Sequence, residues 1–303
     1  MLRDSDDDSG FYAAACAADP DATSWPGCTV YVSVDGGSNY SVAFTITSGE
    51  ATMGQTTDAL ADFLGGNIPD ELSHVNVSMF NGTLSSTNNA GLLAGVNMAV
   101  IGEEILFFRD ATLEADGTYT LRGFLRGRRG SEYAMSDHAI GDRFVLIGTP
   151  GIVRVAQATA DIGIEKSYKA VTNGMTQASA PAQTFTNEGC GLKPYAPVHL
   201  GGGRDAANNA TLTWVRRSRI SGEWRDGVDV PLGEASEAYE VEIYSSSAYT
   251  TLLRTISGLT SATAAYSAAD QTTDGITPGH PIYFRVYQLS ATVGRGHAAD
   301  GSI

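Results

Sequence analysis

Five histidines, His74, His138, His199, His280 and His297, are the residues best suited by type to acid–base or metal chemistry. None stands at the i, i+4 spacing that sets two ligands on one helix face, so turn or surface positions are expected for them. Carboxylates are abundant, but a glycosidase needs two of them held across a sugar, and linear spacing nominates no such pair. No Gly-x-Ser-x-Gly elbow occurs, and Gly36-Gly37, Gly65-Gly66 and Gly201-Gly202-Gly203 lack the Gly-Lys-Ser/Thr of a phosphate loop. The chain reads as a non-enzyme without cofactor or metal. Its acidic start, Asp4-Ser5-Asp6-Asp7-Asp8-Ser9-Gly10, lacks the spacing and closing Glu of a calcium loop and is read as a solvated tail.

Two segments hold the candidate interaction residues. Leu121 to Glu132 packs Arg122, Arg126, Arg128 and Arg129 among Gly123, Gly127 and Gly130 at a strand end. Alone it would suit phosphate or RNA; beside so many acids, fixed pairing of arginine forks with Asp or Glu is the expected role. The second segment runs from Trp214 through Arg216, Arg217 and Arg219 to Trp224 and on to Glu234. A Trp-bearing loop can bind glycan by stacking, while a loop anchored on its own domain by Trp224 is the alternative.

The charge has a location. The net charge is −15, and residues 1–108 hold 14 acidic side chains against Arg3 alone. Residues 109–150 hold six of each sign. A polyanionic first third argues against nucleic acid and against docking on anionic lipid. No apolar run is long enough to span a bilayer and the N-terminus lacks a signal-peptide core, so a soluble chain made in a cytoplasm is expected, without membrane insertion. Cys16, Cys28 and Cys190 are too few for a disulfide framework; a Cys16–Cys28 bond across a hairpin or ordinary thiols are the two options, thiols being favoured in a reducing compartment.

These residues must be positioned by strands. Short alternating segments broken by glycine turns recur throughout: 30–34 and 40–47 as a hairpin, then 74–80, 98–101, 104–109, 118–124 and 144–147. A single helix is expected, over 57–64, stopped by Gly65-Gly66. The fold class is therefore all-β, with a β-rich barrel or sandwich over 1–150, an extended connector over 151–193, and a C-terminal β-sandwich over 194–303 entered through Pro194-Tyr195-Ala196-Pro197. Strands are expected at 210–215, 239–244, 252–256, 262–266 and 282–287. The Pro-rich entry, Trp214 on the second strand and Tyr239 on the third resemble a fibronectin type III domain.

A wider resemblance joins these pieces. Gly102-Glu103-Glu104-Ile105, Leu121-Arg122-Gly123-Phe124-Leu125-Arg126-Gly127-Arg128-Arg129-Gly130, His138, Gly141 and Phe144-Val145-Leu146 resemble the C-terminal region of the large tail-tip hub proteins of gene transfer agents and related siphophages. So do Trp25-Pro26-Gly27, Asp35-Gly36-Gly37, Ala51-Thr52-Met53-Gly54 and the run from Trp214 to Glu242. The resemblance implies a structural protein of the phage tail tip or baseplate, located in the virion. It also implies a homotrimer in contact with hub and distal tail proteins, and a part in host attachment. Members of that family are longer, so their hub, channel or hydrolase roles are expected from a separate polypeptide. The second reading is a glycan-binding adhesion module using Trp224, Tyr244 or Tyr249 as stacking platforms.

Overall fold

The computed structural model describes residues 3, 5–17, 24–47, 49–222 and 227–303. They form two compact units, Ser9–Glu188, and Gly189–Ile303 together with the N-terminal residues 1–8. Both are all-β.

The first unit contains β1 (Phe11–Ala14), β2 (Cys28–Ser33), β3 (Ser41–Ile46), β4 (Met53–Thr56), β5 (Asp70–Asn81), a one-turn helix α1 (Asn89–Leu93), β6 (Met98–Ile101) and β7 (Glu104–Leu113). It continues with β8 (Tyr119–Leu125), β9 (Arg143–Leu146), β10 (Ile152–Val155), β11 (Glu165–Thr172) and β12 (Gln183–Thr186). Six of these close on themselves as a barrel in the order β4-β5-β8-β7-β6-β9. Alternation explains the closure: Val75 and Val77, Leu106 and Phe108, Leu121, Ala99 and Ile101, and Phe144 all point inward and form one core. Burying each of these Leu and Phe side chains contributes about 2 kcal/mol.

The helix expected over 57–64 is absent. Leu60 turns into the barrel core, and Asp58 accepts hydrogen bonds from the backbone and side-chain nitrogens of Asn76 (2.7 and 2.8 Å) instead of capping a helix. The Ala61 carbonyl is taken by Arg126, and Leu64 is 91% exposed, so no apolar helix face exists here. Tertiary partners outcompete local propensity.

The stretch 151–193 is not an extended connector. β10 pairs antiparallel with β1, and β11 pairs with β2, giving a sheet of order β12-β11-β2-β3. The cause is apolar: Phe11, Phe44, Tyr168 and Phe185 meet edge to face or tilted, with ring centroids 5.0–6.5 Å apart. Cys28, Val30 and Ile46 are buried beneath them. All three cysteines are free thiols, and burial raises the pKa of Cys16 and Cys28.

The second unit packs a three-stranded sheet on a four-stranded one. β13 (Val198–Arg204), β14 (Ala210–Val215) and β17 (Thr263–Tyr266) form the order β13-β14-β17. β15 (Tyr239–Tyr244), β16 (Leu252–Leu259), β18 (Tyr283–Ser290) and β19 (Gly294–Ser302) form β16-β15-β18-β19, and α2 (Ala268–Thr273) follows β17. First, second and fifth strands on one sheet, with the third, fourth, sixth and seventh on the other, is the arrangement of a fibronectin type III-like sandwich. Trp214 meets Tyr239 edge to face at 5.2 Å in its core. Two strands escaped the sequence reading because glycine replaces the β-branched signal. In β13, a Cβ on Gly202 would lie 2.4 Å from the Thr211 carbonyl oxygen, so the close approach of β14 needs glycine there.

The acidic start is not a solvated tail in its described part. Asp6 is buried and accepts from the Arg3 backbone nitrogen at 2.8 Å, and Asp7 pairs with Arg219.

Candidate interaction sites

Arg126 follows directly on β8, and its side chain turns into the end of the barrel. Its Nε donates to Glu104 Oε1 at 2.9 Å and its Nη2 to Glu104 Oε2 at 2.9 Å, while Nη1 reaches the Ala61 carbonyl at 2.9 Å and Asp70 Oδ2 at 3.3 Å. Both the Arg126 and Glu104 side chains are 0% exposed. Glu104, at the start of β7, also accepts from the Gly127 backbone nitrogen at 2.6 Å and bonds His138 Nε2 at 2.7 Å; His138 Nδ1 bonds Asp142 Oδ2 at 3.0 Å. One carboxylate thus ties β7, the turn after β8 and the loop before β9 together.

The charges are mutually adjusted. Burial works to raise the carboxyl pKa of Glu104, but bonds from His138, Arg126 and Gly127 outweigh it and hold the group below its ordinary range. Asp70 is likewise lowered against burial, by Ser73, Leu72 and Arg126. His138 is raised: burial works to lower it, and its bonds to Glu104 and Asp142 win. With both carboxylate oxygens of Glu104 bonded and neither it nor Arg126 touching solvent, this pair is a structural lock.

The other arginines of the turn differ. Arg128 donates to Asn67 Oδ1 at 3.1 Å and lies 5.7 Å over the Phe107 ring. Arg122 is exposed on β8, in register with Asp110 on β7 and His74 on β5, and Arg129 is exposed at the turn. Arg109, which the sequence reading left out, holds Glu71 with two bonds of 2.7 and 2.8 Å and Asp110 at 2.9 Å, which lowers the Glu71 pKa. Of the four expected interaction arginines here, Arg126 is spent inside the fold, and Arg122 and Arg129 face outward.

In the second unit Arg216 donates to Asp229 Oδ2 at 2.6 Å and to the Val230 carbonyl at 2.8 Å, and Arg217 lies 5.1 Å over the Tyr195 ring. Trp224 lies outside the described residues. Arg219, which lies in the same segment, is the buried anchor of this loop: it bonds Glu234 Oε1 at 2.8 Å, Asp7, and the carbonyls of Gly191 and Gly233 at 3.1 Å. Its signal was the run of arginines after Trp214; which of them turns inward depends on where Glu234 and Asp7 arrive. Tyr244 and Tyr249 sit on the outer face of the four-stranded sheet, where the Arg285 guanidinium lies 5.3 and 5.1 Å from their ring centroids. Tyr244 is buried and donates to Glu242 at 2.6 Å. Their ring faces are engaged by the protein itself, which weakens them as stacking platforms for sugar.

Comparison with known proteins bears on the barrel. Residues 51–145 match the model of the family described as Rcc01698-like, C-terminal. The matched segment opens just before β4 and closes on β9, so its limits are those of the closed barrel and include the Arg126–Glu104 lock. No curated protein matches the chain. Similar solved structures include one titled "Myokine structure", 17% identical with a TM-score of 0.24 over 36% of this chain and 95% of that one. Rat CD45 extracellular domains d3–d4 are 13% identical, TM-score 0.27, over 49% and 66% of the two chains. Chicken CNTN1 FN1–FN3 domains are 9% identical, TM-score 0.24, over 91% and 90%. The fibronectin type III-like character of the second unit rests on its strand order and not on these scores.

Proposed function

We propose that the chain is a non-enzymatic structural component of a phage or gene transfer agent tail tip, associated with the hub or baseplate in the virion. In this reading it assembles as a homotrimer, contacts hub and distal tail proteins, and contributes to host attachment. The observation that carries the reading is the coincidence of the matched family segment with one closed barrel, a family whose reference protein is gene transfer agent-associated. The exposed Arg122 suits contact with an acidic side chain of a partner. The sandwich supplies a separate module for reaching outward.

The experiment is proteomics of purified particles followed by a cryo-EM map of the tail. Density for the barrel around the tail axis at the tip is the expected result. Absence of the chain from purified particles, or its location in the capsid, would remove the reading.

A further inference from the structure

The barrel closes and leaves no strand edge, but among the described residues the sheet β12-β11-β2-β3 has two. Open edges are ordinarily guarded by lysine, proline or inward charge. Here residues 36–49 carry no charged side chain and no proline, and residues 170–187 carry no charged side chain, with proline only at 181, ahead of β12. Ser41, Val42, Ala43 and Thr45 on β3 are exposed, as are Gln183, Thr184 and Phe185 on β12. The one guard is an extra residue at Ala43, where Val30 faces Phe44 and Tyr31 faces Val42; it bends the strand without adding charge.

We propose that this sheet joins copies of the chain edge to edge, β3 of one protomer pairing with β12 of the next. Two observations select a second copy as occupant. First, chains of net charge −15 repel one another, and the approach costs least where charge is missing; within this sheet only β11, a central strand, carries any, at Glu165, Lys166 and Lys169. Second, every neighbouring pair in the sheet is antiparallel, so with four strands β3 and β12 run in opposite directions. Rotation about an axis along the strands sets β3 of one copy antiparallel to β12 of the next, the same junction the sheet already uses. Such a head-to-tail contact closes into a ring when the rotation between copies is a whole fraction of a turn, and backbone hydrogen bonds supply its affinity.

The proposal refines the self-association in the tail-tip reading and can fail apart from it. The test is light scattering of the purified full chain as it elutes from a sizing column. Wild type is expected at three copies, and Val42→Lys/Thr45→Lys and Gln183→Lys/Thr184→Lys are each expected at one. Mixed in equal amounts the two variants stop at a dimer, because each retains the edge the other lacks. A wild type that runs as a monomer overturns the proposal and leaves the edges to another partner. An oligomer unchanged by either variant overturns it too, while leaving the tail-tip reading intact. Should a variant fail to fold, cysteines placed in turn at Ser41, Ala43 and Thr45, each with Thr184→Cys in a Cys190→Ser background, decide: an interchain disulfide at one position supports the junction, and none at any position overturns it.

Discussion

The Arg126 guanidinium and the Glu104 carboxylate meet as a two-point pair inside the barrel, both contacts 2.9 Å and neither side chain touching solvent. Removing one partner leaves the other charge buried and uncompensated. Arg126→Met is therefore expected to destabilise the first unit by about 3–5 kcal/mol, and the same cost follows Glu104→Leu. Denaturant midpoints of the first unfolding transition check this; a shift within error would show that the pair is not needed for the barrel.

The same cluster gives two opposed pH windows. Glu104 and Asp70 are held low, so their contribution is present above an ordinary carboxylate pKa of about 4 and is lost as pH falls through the depressed folded value. His138 is held high, so its contribution is complete below about 6.5 and is lost as pH rises through the raised folded value. The stability gap between wild type and His138→Phe is expected to be wide at about pH 5 and narrow at about pH 9. Thermal midpoints across that range measure it.

His297 behaves in the reverse sense. Burial, with the charges of Lys193 and Arg217, pushes it down to about 4. It stays neutral in the folded sandwich while the unfolded chain protonates near 6.5, so the second unit loses stability as pH falls between those values. A proton NMR titration of the His297 ring should place its midpoint well below the ordinary histidine value of about 6.5.

Arg219 fastens the start of the chain and the long loop to the sandwich at once. Arg219→Ala leaves Glu234 buried without its partner and is expected to cost about 3 kcal/mol. It also frees Asp7. Faster hydrogen exchange confined to residues 5–8 and 227–234 is the expected signature, and an unchanged exchange pattern counts against this anchoring.

Gly54 on β4 carries a packing constraint. A Cβ there would lie 2.2 Å from the Ser78 carbonyl oxygen of β5, a backbone atom that cannot step aside. Gly54→Ala is expected to destabilise the barrel by roughly 1–3 kcal/mol, read as a lower midpoint for its unfolding transition, while Gly36→Ala, with no atom near its Cβ, carries only the strain of its left-handed backbone (φ +71), about 1 kcal/mol.

Most strands were legible because period-two alternation reports a sheet with one buried face. Val75, Val77, Leu121 and Phe144 are inside for that reason. Glycine-rich β13 and β19 were not legible, since close backbone approach leaves no apolar pattern. Among the candidate residues, the sequence marked the arginine turn as a place for carboxylate pairing, and Arg126 bears this out.

By itself, then, the amino-acid order determined an all-β chain, a Pro-marked entry to a C-terminal sandwich near Pro194 and a polyanionic first third, because alternation, turn residues and charge are local properties. Only the tertiary structure decided that β10 to β12 belong with β1 to β3, that Arg126 is spent on Glu104 while Arg122 faces outward, and that Arg219 holds Asp7. Each of these joins residues far apart along the chain, and a long-range pair has no period to read: it exists only once strand register has brought its two members within reach.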